Sequence, residues 1–256
     1  MQLFKKTLFA AAFLCALGAV AAEPQIKIAL AGSSACQGYK STDPKHIYGW
    51  GEFIGSYMTS NVKVLNFAIS GTSTTSFREK GYWKKLMDSK PDYVFMTLGA
   101  NDTPGKKSSS DPNTTYKANL RRYAAEAQAA GAKVIFVTIN QSLVKDRKAN
   151  KAVFSKNGPV RKDRVPYSKA MREVAAELKL PCLELADVQA RIFTAMGEEA
   201  ASKLYRFRPD GSVDPSHTNK AGAELLAKII VSELRKSNSD LKKYTIDPKL
   251  EVPVKK

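Results

Sequence analysis

Short apolar runs recur along the chain, the first three closing on Gly- or hydroxyl-bearing turns, and longer segments of helical periodicity lie between them. The first run starts at Lys27 and stops abruptly at Gly32-Ser33-Ser34. Residues 48–57 place Trp50, Phe53, Ile54 and Tyr57 at helical spacing, which predicts a helix with a core-facing stripe. A second strand is expected over 62–68, with the polar turn Ser70 to Ser73 after it. A short helix follows over 82–88, then a third strand over 93–98 that ends in Gly99-Ala100-Asn101-Asp102. Residues 103–115 read as a surface loop, 116–130 as an Ala-rich helix closed by Gly131, and 133–139 as a fourth strand. Beyond the long segment 142–164, a helix is predicted over 167–180 and a fifth, short strand over 182–185. The last helix spans 219–236, with Leu225, Leu226, Ile229, Ile230 and Leu234 on one face and Thr218 as the expected N-cap. The remainder reads as a polar, basic tail running over the surface.

Strands alternating with helices predict an α/β protein with a parallel, doubly wound sheet. Right-handed crossovers put the ends of the first three strands on one edge, where parallel sheets meet their ligands. The chain has 256 residues, and the first 22 have the form of an export signal. Lys5 and Lys6 precede an apolar stretch from Leu8 to Leu17 and a small-residue cleavage site at Ala19 to Ala22. No lipobox is present, and the apolar stretch is too short to stay in a membrane. The reading is therefore a signal peptide over 1–22, one domain over 23–236 and a basic tail over 237–256, in a secreted or periplasmic monomer.

Charge narrows the partners. The formal net charge is +17, and removing the leader takes away two lysines and no acid. Such a balance favours anionic partners; for an exported protein these are polyanionic saccharides or membrane surfaces rather than nucleic acid. Residues 142–164 hold eight Lys or Arg against two Asp. Because this segment follows the fourth strand, Lys145, Arg147, Lys148, Lys151, Lys156, Arg161, Lys162 and Arg164 are expected near the mouth of any site on that edge. Cys36 and Cys182 remain after cleavage of the leader. In a 2-1-3-4-5 strand order they are about 14 Å apart, beyond disulfide reach.

The chemistry gathers at the predicted strand ends. Ser34 follows the first strand, and Asp214-Pro215-Ser216-His217 offers a carboxylate and an imidazole in a predicted loop before the last helix. A serine hydrolase needs a hydroxyl nucleophile, a base and a group that orients the base. Ser34, His217 and Asp214 supply these. The backbone N–H groups of Ser34 and Gly71 and the side-chain amide of Asn101 are the oxyanion donors. Asp102 reads as a turn- or helix-capping residue and His46 as an ordinary loop residue. No metal-ligand spacing, Gly-rich phosphate loop or dinucleotide fingerprint occurs, so no cofactor is expected.

In this order and at these separations, Gly32-Ser33-Ser34, Gly71, Gly99-Ala100-Asn101-Asp102 and Asp214-Pro215-Ser216-His217 resemble the four sequence blocks of SGNH (GDSL-like) hydrolases. Gly49-Trp50-Gly51-Glu52, Asn66 through Gly71 and Asp214 through Ala223 resemble the rhamnogalacturonan acetylesterase branch. The resemblance implies a flavodoxin-like three-layer α/β/α sandwich around a five-stranded parallel sheet. It also implies Ser34 as nucleophile, His217 as base, Asp214 as its orienter, and Gly71 and Asn101 completing the oxyanion hole. The implied activity is removal of O-acetyl groups from a polysaccharide, pectic in character, through an acetyl-enzyme. Two departures stand out. Ser33 occupies the place of the family's acid, making it a rival nucleophile, and Asn140-Gln141-Ser142 does not match the branch. The altered turn keeps a non-catalytic carbohydrate-binding protein in view, and the shared blocks keep a lipid-directed esterase or lysophospholipase in view. Polar, basic loops favour the saccharide. The sequence assigns no substrate-binding residue.

Overall fold

The computed structural model describes residues 24–43 and 45–251, so the expected leader lies outside the described residues. In chain order the strands are β1 (Ile26–Ala31), β2 (Val62–Asn66), β3 (Tyr93–Met96), β4 (Lys133–Val137), β5 (Val144–Asp146), β6 (Lys151–Val153), β7 (Lys156–Pro159), β8 (Cys182–Leu183), β9 (Tyr205–Phe207) and β10 (Val213–Thr218). The α-helices are α1 (Thr74–Glu79), α2 (Tyr82–Asp88), α3 (Thr115–Ala129), α4 (Val165–Glu177), α5 (Leu185–Met196), α6 (Glu198–Ser202) and α7 (Lys220–Lys236).

The central sheet is parallel, in the order β2-β1-β3-β4-β8, as the flavodoxin-like expectation requires. Alternate residues of each inner strand point to opposite faces, and both faces are buried. Ile28, Leu30, Phe95, Ile135 and Val137 pack against α5, α7 and the turn holding Trp50 and Ile54. Ala29, Ala31, Val94, Met96 and Phe136 pack against α1 to α4, through Phe77, Trp83, Leu120, Tyr123 and Met171. Two helical layers thus enclose one sheet. Cys36 lies in the turn after β1 and Cys182 starts β8, with β3 and β4 between those strands in the sheet, and both are free thiols. Burial pushes the Cys36 thiol well up and that of Cys182 up to about 12.

Several elements differ from the sequence reading. Residues 50–57 form two 3₁₀ turns, Trp50–Glu52 and Ile54–Tyr57, instead of one helix. The cause is close approach to the loop after β1: a Cβ on Gly49 would stand 2.1 Å from the Gln37 carbonyl oxygen, and one on Gly51 2.3 Å from that of Cys36. The N-cap of α7 is Asn219, whose side chain accepts from the Gly222 N–H, and Thr218 closes β10 instead. The segment after α7 is not a free surface tail. Its 3₁₀ turn Asp240–Tyr244 buries Leu241 completely, and Asp240 accepts from Tyr93 Oη at 2.8 Å and Lys133 Nζ at 2.6 Å. Beyond it, the Ile246 N–H donates to Tyr57 O and Thr245 bridges Met58.

Candidate active site

Three strand-end loops meet above the carboxyl edge of the sheet and are fastened to one another. After β1 the chain turns tightly, with the Cys36 and Gln37 N–H groups both donating to Ser33 O at 3.0 Å. Asn66, at the end of β2, donates from Nδ2 to Cys36 O at 2.8 Å, and the Ser70 N–H donates to Gln37 Oε1. Asn101, after β3, donates from Nδ2 to Thr72 O at 3.0 Å. Gly71 has φ +78°, the left-handed region that a side chain disfavours, and nothing crowds the space where its Cβ would be. Its role is conformational: it turns the backbone after β2 toward Ser34.

Asp102 is fully buried one residue beyond Asn101 and accepts from Thr74 N–H and from the hydroxyls of Thr74 and Ser110. It therefore caps the first turn of α1, in keeping with the capping role expected of it. Burial pushes its carboxyl up, and the three donors only partly offset this.

His217 and Asp214 arrive on a strand, not on the loop that the sequence suggested. β10 pairs with β9 in an antiparallel hairpin whose register shifts between Asp214 and Thr218, an irregularity that re-aims the side chains between them. The Tyr48 N–H to Thr218 O and Leu143 N–H to Pro215 O bonds, both 3.0 Å, hold the hairpin against the sheet edge. Asp214 Oδ2 lies 2.9 Å from His217 Nδ1, and Oδ1 accepts from the Ser216 N–H at 3.1 Å. Arg206 Nε and Arg208 Nη2 stand 3.3 and 3.4 Å from the same Oδ2. Burial alone would push the Asp214 carboxyl up, but His217, the Ser216 N–H and the Arg208 charge together hold it below the ordinary carboxylate range.

Ser34, Gly71, Asn101 and His217 line one cleft of about 370 Å³. Apart from Ala100, the remaining walls are polar, including Ser70, Thr103, Lys106 and Asp163. Ser33 is only 3 % exposed and lies outside this lining. Among the described residues no hydrogen bond engages the Ser34 hydroxyl or His217 Nε2, so both are free to meet a ligand. A model of the GDSL-like lipase/acylhydrolase family matches residues 30–225, a span that contains all four of these residues. The chain belongs to this family.

The GDSL-like hydrolase is 31 % identical over 212 residues to the probable rhamnogalacturonan acetylesterase YesY of Bacillus subtilis, covering 81 % of this chain and 92 % of that one. It is 28 % identical over 234 residues to the rhamnogalacturonan acetylesterase RhgT of the same organism, covering 86 % and 94 %. Among solved structures, YxiM of B. subtilis superposes with a TM-score of 0.65 at 26 % identity, over 83 % of this chain and 56 % of that one. The acetylxylan esterase Axe2 of Geobacillus stearothermophilus gives 0.61 at 16 % identity, over 85 % and 96 %, a likeness of fold. The protein is a carboxylic ester hydrolase.

The basic segment of the hydrolase meets its site less fully than its position in sequence suggested. Of its eight cations, only Arg161 and Arg164 line the cleft. Arg161 is paired bidentately with Asp163, and Arg164 donates to Asn140 O while burial and the neighbouring Arg161 bring it down to about 10. The β5–β6 hairpin, which carries Lys145 and Lys151, instead leans on the β9–β10 hairpin, where Asn150 bonds Gly211 O and the Val213 N–H. Lys106 was missed because its loop shows no periodicity; its place directly after the Asn101 block was the available signal.

Proposed function

We propose that this hydrolase is an exported serine esterase that removes O-acetyl groups from an acetylated polysaccharide, pectic and rhamnogalacturonan-like in character. The observation that carries the reading is the single cleft shared by Ser34, His217, Gly71 and Asn101, with Asp214 2.9 Å behind the His217 ring. Ser34 Oγ attacks the acetyl carbonyl carbon while His217 Nε2 takes its proton. Asp214 holds the imidazole with Nδ1–H toward Oδ2 and stabilises the imidazolium as it forms. The oxyanion is met by the Ser34 and Gly71 N–H groups and by Asn101 Nδ2, whose second hydrogen is not used by Thr72. The imidazolium then protonates the departing sugar oxygen, leaving acetyl-Ser34. Water, deprotonated by His217, attacks the acyl carbon, and collapse of the second oxyanion releases acetate and restores the Ser34 hydroxyl.

The polar wall supports a sugar rather than a fatty acyl chain, which would need a contiguous apolar lining. The acetylesterase relatives support the acetyl group and the pectic backbone. Acetate release from acetylated rhamnogalacturonan, homogalacturonan and xylan, each with a Ser34→Ala control, tests the reading. Fastest release from the pectic polymers, abolished in the variant, is expected. Release from none of them would overturn the polysaccharide, and undiminished release by Ser34→Ala would overturn the nucleophile.

A further inference from the structure

A second hollow, of about 320 Å³, opens beside the cleft and is walled by Tyr39, His46, Arg206 and Phe207. Its volume is that of a small-molecule site. Two of its walls are anchored to the proposed machinery. The Tyr39 hydroxyl donates to Ser34 O at 3.0 Å, so the ring stands between the nucleophile turn and the hollow. Arg206, paired with Asp214 across the β9–β10 hairpin, has its Nε 3.3 Å from Asp214 Oδ2. The two terminal guanidinium nitrogens of Arg206 have no hydrogen-bond partner among the described residues, and its side chain is 22 % exposed on this side of the hairpin.

Phe207 is 45 % exposed, although it follows Arg206 on a strand whose first residue, Tyr205, is fully buried. An aromatic face left open next to a guanidinium and an imidazole is an amphipathic surface. The C–H faces of a pyranose pack on such a ring, and hydroxyl or carboxylate oxygens meet the donors at its edge. The planar guanidinium fork is matched to a carboxylate, which it engages through paired charge-assisted hydrogen bonds. Asp43, 3.3 Å from His46 Nε2, keeps that imidazole turned toward the loop, so Arg206 is the principal anion donor.

We propose that this hollow is a saccharide subsite that takes a uronate residue of the acetylated chain, with Phe207 and Tyr39 bracketing the ring and Arg206 receiving its carboxylate. Its place next to the scissile ester rests on the reading of the protein as a polysaccharide acetylesterase. The subsite binds a uronate oligomer whether or not an acetyl group is present, and that makes it separable from catalysis.

The test is an NMR titration of the full-length chain with trigalacturonate, and in parallel with xylotriose as the neutral probe, neither carrying an acetyl group. Saturable shifts confined to residues around Tyr39, His46 and Phe207 are expected, with trigalacturonate bound about tenfold or more tightly than xylotriose. Phe207→Ala should weaken trigalacturonate about fivefold, since it removes one aromatic contact. Arg206→Gln should abolish the preference over xylotriose, and a thermal melt of each variant establishes that it is folded. Equal affinity for both trisaccharides in the unaltered chain, no shifts, or an unchanged affinity in folded Phe207→Ala would each overturn the subsite. Acetate release from acetylated rhamnogalacturonan with no preference for trigalacturonate overturns the subsite and leaves the acetylesterase reading standing. Tight, Phe207-dependent trigalacturonate binding without acetate release from any polymer overturns the reading and leaves a uronate site.

Discussion

Asp102 and Asp214 are both carboxylates withdrawn from water on the same edge of the sheet, and their surroundings send them opposite ways. Asp102 is met only by neutral donors, the Thr74 N–H and the Thr74 and Ser110 hydroxyls, and burial wins: its carboxyl is pushed up. Burial opposes the charge of Asp214 as well, but there His217, the Ser216 N–H and Arg208 answer it, with Arg206 also alongside, and the carboxyl is held down. Neutral donors satisfy the lone pairs of a buried carboxylate, whereas cations are needed to keep its charge. The first arrangement makes a fastener between two loops, and the second makes a permanent anion behind an imidazole.

The largest effect that separates the two is on turnover. With a chromogenic acetate ester, Ser34→Ala and His217→Ala should each lower kcat by about 10⁶-fold, and combining them should add little, because the residues act as a unit. Asp214→Asn should lower it by about 10⁴-fold, through the wrong imidazole tautomer. Asp102→Asn should keep more than about a tenth of the activity per folded molecule, since it touches no reacting group. A loss at Asp102 as deep as that at Asp214 would break the distinction.

Stability reverses the ranking. An amide at 102 presents a donor to groups that are themselves donors, so Asp102→Asn should cost about 2–3 kcal/mol in urea unfolding. The matching fall in Tm is about 4–12 °C for a domain of this size. Asp214→Asn keeps an acceptor for the Ser216 N–H and should cost about 1 kcal/mol.

The pH dependence of those two costs sharpens the contrast further. The carboxyl of Asp214 is depressed on folding, so its stabilisation is present above the unfolded value of about 4 and is lost as pH falls through the folded one. The deficit of Asp214→Asn therefore shrinks on acidification. The carboxyl of Asp102 is raised, so its stabilisation is full below the unfolded value and is lost as pH rises through the folded one. The deficit of Asp102→Asn therefore grows on acidification. Urea titrations between pH 7 and pH 3 on the three proteins read both signs, and parallel curves would remove the electrostatic difference between the sites.

The smallest effect belongs to charges that reach neither carboxylate. Lys148→Gln with Lys151→Gln should change kcat/KM on an acetylated pectic polymer by less than about twofold near physiological salt, where exposed charges act over only about 8 Å. A larger loss would restore to the β5–β6 hairpin the steering role that the charge of its sequence suggested.

Those charges also show where the sequence was legible and where it was not. The five central strands could be read as short apolar runs, and Ser34, Gly71 and Asn101 could be placed because the first three runs end in Gly- or hydroxyl-bearing turns. α5 was hidden because it starts at Leu185, two residues after Leu183 of a two-residue strand, so the two elements merged into one apolar run. α1 was hidden by Thr74-Thr75-Ser76, poor helix formers that Ser73 and Asp102 hold in place from outside the helix. β9 has three residues, β10 carries Pro215, and the two pair with a shifted register, so no alternation survives to be seen. Arg206 and Phe207 come from β9 and Tyr39 from the loop after β1, and only folding brings them to one hollow.

The turn at Asp240–Tyr244 has a bearing on the order in which the protein can be assembled. A chain emerging from the ribosome presents β1 and the Ser34 turn first, yet β1 and β3 are covered on one face by α7, and the Tyr93–Lys133–Asp240 cluster closes only when the last residues are free. His217 lies just ahead of α7, so in the proposed mechanism nucleophile and base meet only once nearly all the chain has been made. In the proposed mechanism a chain cut short of β10 thus carries its serine without its imidazole, and one cut short of residue 240 holds both but lacks the Asp240 clasp across β3 and β4.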